Sequence, residues 1–205
     1  MSLLVDIEKR LGNFMLRSKF EASSGTMALL GASGCGKSVT LRCIAGIMTP
    51  DSGRIVLDGE TLFDSEKHID LTPQQRRVGY LFQQYALFPN MTVALARILA
   101  SEPRVILLDE PFSALDYQTR LSVSDEIGTI IREEGKTVIL VTHDISEAIS
   151  LSDRVVVLSK RPASLKKIFP IQFSTKNHTP MQAREAPEFK DYFNAIWKEL
   201  DVHVS

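Results

Sequence analysis

The sequence predicts an α/β fold in which a mainly parallel β-sheet is flanked by helices and carries a smaller antiparallel β region. Three observations predict it. Short apolar runs of strand length alternate with helical patterns along most of the chain. A glycine-rich turn, "GASGCGKS", separates a strand-like run from a helix-like one. The pair Asp58-Gly59 stands between two apolar runs, which is a strong signal for an antiparallel hairpin.

The remaining elements follow from their patterns. The segments "RVILLDEP", "KTVILVTHD" and "DRVVVLSK" are apolar runs typical of buried strands. The segment "DYQTRLSVSDEIGTIIREEGK" predicts a helix that ends at Gly135 as its C-cap. In residues 187–200 large apolar side chains fall at helical spacing, namely Phe189, Phe193, Ile196, Trp197 and Leu200. We expect a terminal helix docked on the main core, with a partner-binding helix as the alternative.

The composition limits the possible functions. The chain has 205 residues, is 44% hydrophobic and carries a formal net charge of -1, which favours one domain with a small appendage. So small a charge gives no long-range attraction to nucleic acid or acidic lipid, and no apolar run approaches the length of a membrane span. Met1 and Ser2 are followed by "LLVDIEK", which is unlike a secretory signal, and Cys35 and Cys43 form no metal-binding pattern. We therefore expect a cytoplasmic protein that reaches a membrane only through a protein partner.

The strongest chemical signal is the segment from Gly31 to Ser38, which fits the pattern Gly, four residues, Gly-Lys-Ser. Its glycines let the backbone curl so that successive N–H groups point at an anion, and the following helix adds the positive end of its dipole. Lys37 is then placed to neutralise phosphates and the Ser38 hydroxyl to ligate Mg²⁺. The predicted nucleotide-binding residues in this stretch are Gly31, Ser33, Gly34, Cys35, Gly36, Lys37, Ser38 and Val39.

A second signal is "VILLDEP", where an apolar strand delivers two carboxylates at its carboxyl end, the edge at which α/β sheets bind ligands. Asp109 is the predicted Mg²⁺ ligand. Glu110 is the predicted general base that orients an attacking water molecule. Adjacent carboxylates after a strand also begin ordinary polar turns. The roles predicted for Asp109 and Glu110 therefore depend on the presence of the glycine-rich segment, residues 31–38, in the same chain.

Taken together, these motifs resemble those of the nucleotide-binding subunits of ATP-binding cassette (ABC) transporters, which are phosphate-loop NTPases. "GASGCGKS" is similar to the Walker A motif and "VILLDEP" to Walker B with its catalytic glutamate. "YLFQQYALFP" is similar to the Q-loop, "SALD" to the D-loop and "VTHD" to the H-loop. The five motifs occur in the family's order over nearly all of residues 1 to about 160, which is far more specific than any one of them.

The resemblance implies ATP and Mg²⁺ as ligands and adds four residues to the site. It gives catalytic roles to His143 and to Gln83, which also serves as a metal ligand, and it makes Asp116 a nucleotide contact. Asp116 also stands where the N-cap of the next helix should be, and both roles can hold. For adenine the family stacks an aromatic side chain near the N-terminus. Phe14 is the nearest candidate, Phe20 competes with it, and either fits an ordinary core position.

The sequence departs from the family between Val93 and Ala94. The residues up to Val93 are typical of a loop. From Ala94 onward the sequence is rich in residues that favour a helix, and no N-cap residue precedes them. In relatives a helical subdomain that ends in "LSGGQ" lies between these two stretches, and this sequence contains no LSGGQ. Three explanations are a segment left out of the written sequence, an engineered deletion, and natural loss in a degenerate homologue. The first is preferred, because the retained helix is the one that should follow LSGGQ.

The resemblance also implies partners and a transported substrate. It predicts a homodimer of nucleotide-binding subunits beneath transmembrane permease subunits, with a substrate-binding protein as an indirect partner and no nucleic acid. The front half is most similar to molybdate-type importers and the back half to nitrate, sulfonate and taurine importers, so an oxyanion importer is predicted. The alternative is a nucleotide-binding module without transport, because the signature is absent. We expect residues 1–160 to form the ATPase core and residues 161–205 a C-terminal extension.

Overall fold

The protein, described here as a computed structural model, has two β-sheets and seven helices among residues 2–82, 90–159, 164–175 and 179–200. The strands are β1 (Ser2–Leu11), β2 (Phe14–Ser23), β3 (Gly25–Leu30), β4 (Ser52–Leu57), β5 (Glu60–Asp64), β6 (Ile69–Asp70), β7 (Val78–Leu81), β8 (Val105–Asp109), β9 (Thr137–Thr142), β10 (Arg154–Leu158) and β11 (Leu165–Pro170). The helices are α1 (Lys37–Ile44), α2 (Pro73–Arg76), α3 (Asn90–Ala100), α4 (Tyr117–Glu134), α5 (Ile145–Leu151), α6 (Pro180–Glu185) and α7 (Pro187–Glu199).

The larger sheet is mainly parallel, as the apolar strand runs predict. Its strand order is β11-β10-β3-β9-β8-β7, and only the β10–β11 pair is antiparallel. Side chains alternate between the two faces of a strand, so β8 sends Val105 and Leu107 into one hydrophobic cluster and Ile106 and Leu108 into another. Because both faces are covered, these strands read as continuous apolar runs rather than alternating ones.

The smaller sheet is antiparallel, with strand order β2-β1-β4-β5-β6. The predicted hairpin at Asp58-Gly59 joins β4 to β5, and both turn residues have positive φ, 49° and 81°. Two positive φ values are what a two-residue turn needs to match the twist of its strands. The sheet packs its inner face, including Leu3, Val5 and Ile55, against α1 and the larger sheet, which forms the main core.

Helix α3 corrects the expectation of a loop up to Val93. The helix begins at Asn90 and runs without a break through the Val93–Ala94 junction to Ala100. A helix confined to Ala94–Ala100 would span barely two turns, and no Pro or Gly in residues 90–93 prevents its extension toward the N-terminus. Leu95 is buried against the cluster formed with β8 and β9, and this contact holds the helix on the sheet.

The C-terminal region packs on the larger sheet. Strand β11 extends that sheet next to β10, and α7 buries Ile196 in a cluster with residues of β3, α5 and β10. Trp197 stacks on Phe193 with ring centroids 6.0 Å apart and stays 44% exposed. The apolar stripe of α7 therefore packs on the core over part of its width. The division at residue 160 stays a prediction.

No helix in the described ranges is both long and apolar enough to cross a membrane.

Candidate functional site

The glycine-rich segment forms the loop between β3 and α1, as predicted. Gly34 and Gly36 have φ values of 75° and 108°, a region that side chains other than glycine seldom adopt. A Cβ atom added to Gly36 would lie 2.6 Å from Cδ1 of Leu16 on β2. The backbone conformation therefore favours glycine at position 36, and the close packing of Leu16 adds to that preference.

Lys37 begins α1 and folds its side chain back along the loop. Its Nζ donates hydrogen bonds to the carbonyl oxygens of Gly31 at 2.7 Å and Ala32 at 3.1 Å. The side chain is only 4% exposed, so these carbonyls compensate for the lost hydration of the ammonium group. The loop thus holds a positive charge at the start of a helix, where the helix dipole also favours anions.

Ser38 and Asp109 meet although they lie 71 residues apart in sequence. Ser38 Oγ donates a hydrogen bond of 2.7 Å to Asp109 Oδ1. Asp109 is the last residue of β8, and it is 4% exposed. The contact brings together a hydroxyl and a carboxylate, the oxygen ligands that Mg²⁺ prefers.

Tyr80 is a site neighbour that the sequence analysis missed. Its hydroxyl donates a hydrogen bond of 2.8 Å to Asp109 Oδ2, so both carboxylate oxygens of Asp109 have a donor. Burial, followed by the hydrogen bond to Asp109, raises the pKa of Tyr80 well above its ordinary value. The phenol therefore stays neutral at physiological pH. Tyr80 is the first residue of the segment compared with the Q-loop, but nothing in that pattern indicated its contact with Asp109.

Glu110 follows Asp109 in an unusual backbone conformation. Its φ is 46°, in the left-handed region, and its N–H donates to the Val141 carbonyl at 2.9 Å. Non-glycine residues with positive φ are uncommon, and strained backbone conformations cluster at functional sites. Its Oε2 lies 3.2 Å from His143 Nδ1, as expected for a hydrogen bond when Nδ1 carries the proton. The glutamate side chain is 18% exposed and the histidine side chain 53%.

Beside His143, a buried carboxylate supports the segment between β9 and α5. Glu147 Oε2 accepts a hydrogen bond of 2.7 Å from the Thr142 hydroxyl, and Asp144 caps α5 by accepting from the N–H groups of Ser146 and Glu147. Burial raises the pKa of Glu147, and the Thr142 hydroxyl opposes that shift. These bonds fix the backbone on either side of His143.

Asp116 is the N-cap of α4, as predicted. Its carboxylate accepts hydrogen bonds from the Thr119 N–H at 3.1 Å and the Thr119 hydroxyl at 2.7 Å. The hydroxyl bond, then the backbone bond, lowers the pKa of Asp116. The segment of residues 113–116 is also held by Arg120, whose Nη2 donates to the Leu115 carbonyl at 3.0 Å. A contact of Asp116 with nucleotide stays a prediction.

The two aromatic candidates near the N-terminus have different surroundings. Phe20 is buried in the main core, whereas Phe14 is partly buried and packs on the small cluster that contains Leu16 and Cys35. Val39 packs on the same cluster. Phe14 is thus the aromatic residue beside the glycine-rich loop. Gln83 lies outside the described residues.

The chain also matches known proteins. The family model described as "ABC transporter" matches residues 17–94. The chain is 33% identical over 233 residues to an uncharacterized ABC transporter ATP-binding protein, YtlC, of Bacillus subtilis, with 89% of this chain and 86% of that protein covered. It is 34% identical to the molybdate/tungstate import ATP-binding protein WtpC of Archaeoglobus fulgidus, with 86% and 91% covered.

A third relative is longer than this chain. The molybdenum import ATP-binding protein ModC of Brucella abortus is 33% identical over 204 residues, with 77% of this chain covered, and the chain spans 57% of its length. Among solved structures, the dimeric cassette MJ0796 bound to ADP and Pi matches with a TM-score of 0.64 at 20% identity, covering 84% of this chain and 99% of that one.

The fold is therefore that of the phosphate-loop NTPases, with the glycine-rich loop, Ser38 and Asp109 at the carboxyl ends of parallel strands. Within that class, the chain belongs to the family of ABC transporter ATP-binding proteins.

The alignments also bear on the junction in α3. The match to the family model ends at Ala94, the first residue after the junction. The alignment with the Bacillus protein is 233 positions long. It includes 89% of the 205 residues of this chain, which is about 182 residues. About 50 positions of the alignment therefore stand opposite gaps in this chain. The relative thus carries residues inside the aligned region that this sequence lacks.

Proposed function

We propose that the chain is the ATP-binding and ATP-hydrolysing subunit of an ABC importer for an oxyanion. The observation that carries the proposal is the hydrogen bond between Ser38 and Asp109 beside the buried ammonium of Lys37, on a loop built from glycine. A cation, inward backbone N–H groups and a pair of oxygen ligands are what a magnesium-bound nucleotide phosphate requires.

The residues at this site fit Mg²⁺. The Ser38 hydroxyl and the Asp109 carboxylate are hard oxygen donors 2.7 Å apart, and in the described part of the chain no group of three or more His, Cys, Asp or Glu side chains could hold a metal ion. Mg²⁺ commonly uses one or two protein ligands and completes its shell with phosphate and water. Ser38 and Asp109 would hold the ion, with Gln83 as a further proposed ligand, and the ion would neutralise phosphate charge. Lys37 would bind phosphate oxygens directly.

The hydrolytic residues follow from the same edge of the sheet. Glu110 would accept a proton from the attacking water, and His143, within 3.2 Å of it, would orient that carboxylate and reach toward the γ-phosphate. Gln83 would hydrogen-bond the water.

Further residues around the loop and at the start of α4 would complete the nucleotide contacts. Phe14 would stack on adenine, because it packs beside Cys35 and Val39 of the loop region whereas Phe20 is in the core. The loop residues from Gly31 to Val39 would surround the phosphates. Asp116 would contact nucleotide from the end of α4, in addition to capping that helix.

The proposals for the transported substrate and the partners are based on the relatives. Those compared above include import ATP-binding proteins named for molybdate/tungstate and for molybdenum, and their names favour an oxyanion importer over a module without transport. We propose a cytoplasmic subunit that pairs with a second copy and docks on transmembrane permease subunits, with a substrate-binding protein as an indirect partner. Nitrate and sulfonate stay candidate substrates, because the permease and the binding protein, not this subunit, contact the substrate.

The junction predicts a limit on the rate. In the family, serine and glycine donors of the signature close over the γ-phosphate bound by the opposing subunit, and we propose that the missing residues fall between Val93 and Ala94. Losing one such transition-state donor costs about a hundredfold or more in rate. A molecule of 22.9 kDa should therefore bind MgATP but show negligible, non-cooperative hydrolysis.

The decisive experiment combines intact-mass spectrometry with nucleotide binding and ATPase assays on one preparation. A mass several kilodaltons above 22.9 kDa, together with cooperative hydrolysis, would show a segment absent from the sequence. A matching mass with MgATP binding but negligible turnover would support the predicted limit on the rate and the alternative of a nucleotide-binding module without transport. A matching mass with rapid cooperative hydrolysis would show that the signature donors are not needed, and no MgATP binding at all would overturn the proposed function.

A further inference from the structure

Asp109 is held from two sides by donors on different elements. Ser38 of α1 donates to Oδ1 at 2.7 Å, and Tyr80 of β7 donates to Oδ2 at 2.8 Å. A carboxylate with a donor on each oxygen has its plane and its rotamer fixed. Only one of the two donors, Ser38, is a proposed metal ligand, which leaves the role of Tyr80 unexplained by the nucleotide site itself.

The sheet register explains how Tyr80 reaches Asp109. Strands β7 and β8 are parallel neighbours in which Tyr80 lies opposite Leu107. Asp109 is two residues beyond Leu107 and so lies on the same face of β8. A diagonal neighbour at this spacing is within reach of a long aromatic side chain. The phenol therefore meets the carboxylate because of strand order and register.

A third group completes the arrangement. The positive charge of Arg42 lowers the pKa of Tyr80, against the larger effects of burial and Asp109. Arg42 stands four residues after Ser38 on α1, hence on the same face of the helix. Helix α1 thus contacts Asp109 through Ser38 and also carries the positive charge of Arg42, which acts on Tyr80.

We propose that Tyr80 is a positioning residue for the metal site, which holds the Asp109 carboxylate so that Oδ1 remains beside the Ser38 hydroxyl. This inference rests on the proposed function. Second partners of this kind orient metal ligands, and their loss typically weakens metal affinity by about 10- to 100-fold. Tyr80 also packs on Phe82, with ring centroids 4.3 Å apart, so the end of β7 and the metal site are joined through one side chain.

The test is Tyr80→Phe, which removes one hydroxyl oxygen and keeps the ring. The matched control is Tyr192→Phe, because that phenol also makes hydrogen bonds, to the backbone of Gln172, but on α7. Mn²⁺, which also prefers oxygen ligands, serves as a paramagnetic probe. Its apparent dissociation constant is measured by electron paramagnetic resonance at saturating ATP, and ATP affinity is measured separately in EDTA.

We expect Tyr80→Phe to weaken Mn²⁺ binding about tenfold while ATP affinity in EDTA stays unchanged. Tyr192→Phe should change neither. In a double-mutant cycle, Tyr80→Phe should have no further effect in an Asp109→Asn background, because the carboxylate that it positions is gone.

Several outcomes would overturn the inference. Unchanged Mn²⁺ affinity in Tyr80→Phe, or equal losses in Tyr80→Phe and Tyr192→Phe, would show that the hydroxyl does not act on the metal site. A loss of ATP affinity in EDTA as large as the loss of Mn²⁺ affinity would show a general packing role. Additive effects with Asp109→Asn would exclude action through Asp109. Failure of the wild-type chain to bind ATP under any condition would instead overturn the proposed function, and this inference with it.

Discussion

The phosphate side and the hydrolytic side of the site are built differently. On the phosphate side, Lys37 and Asp109 are each 4% exposed as whole residues, and each makes two hydrogen bonds with oxygen atoms of the chain at 2.7–3.1 Å. On the hydrolytic side, Glu110 and His143 are 18% and 53% exposed and share one contact of 3.2 Å. The two sides lie at the ends of strands in the same sheet, so the difference is not one of fold.

The comparison indicates which part of the function the single chain can supply. Buried groups that are already hydrogen-bonded have fixed positions before a ligand arrives, so they lose little conformational freedom on binding. Exposed groups with one loose contact still have conformational freedom and are screened by water. We infer that phosphate binding is a property of the chain alone, whereas hydrolysis needs further groups to exclude water and complete the site.

The largest expected effect is the loss of MgATP binding when the phosphate side is disrupted. Lys37→Ala removes a preorganised cation that would donate to phosphate oxygens. Losing two charge-assisted hydrogen bonds to phosphate, at about 2 kcal/mol each, corresponds to a loss of MgATP affinity of about a thousandfold. Titration calorimetry measures this loss. Lys190→Ala, on the exposed surface of α7, is the matched control and should bind like the wild type. Unchanged affinity in Lys37→Ala would contradict the assignment of the loop.

The next effect would separate the two sides. In a preparation that hydrolyses ATP, Glu110→Gln keeps the shape of the side chain and removes the base, so turnover should fall by about a hundredfold or more. Binding of MgATP should survive, since the phosphate side is intact. Steady-state phosphate release and calorimetry give the two values. If turnover were close to that of the wild type, the base would have to be another residue, with His143 the next candidate.

The smallest expected effect is on the pH dependence of stability, and it concerns Glu147 beside the hydrolytic side. Burial raises the pKa of Glu147, so this carboxyl stabilises the fold below the ordinary glutamate pKa, and that contribution is lost as pH rises through the raised value. Asp144 opposes ionisation of Glu147, whereas Arg120 and His143 favour it. The stability of Glu147→Gln relative to the wild type should therefore increase from about pH 4 toward neutral pH.

Chemical denaturation at a series of pH values measures this trend. Glu188→Gln is the control of opposite sign, because hydrogen bonds from Ser174 lower the pKa of Glu188 and its contribution is lost as pH falls. A flat difference between Glu147→Gln and the wild type would show that burial does not control the ionisation of Glu147.

Local patterns predicted the local structure. Gly34 and Gly36, the Asp58-Gly59 turn and the Gly135 C-cap each depend on backbone conformations that few residue types adopt, so their positions can be found from sequence. The apolar runs of β8, β9 and β10 were equally clear. The helix across Val93 and Ala94 was not, because residues 90–93 have no strong preference of their own, and packing of Leu95 on the sheet favours the helix.

The sequence by itself determined the family, the order of the motifs and the residue types at the phosphate site. Only the tertiary structure decided which of these residues meet. The contact of Tyr80 with Asp109 follows from the pairing of β7 with β8 in one register, and the burial of Phe20 rather than Phe14 follows from how the antiparallel sheet packs on α1. Neither is written in a short pattern, because strand order and sheet packing depend on interactions between distant parts of the chain.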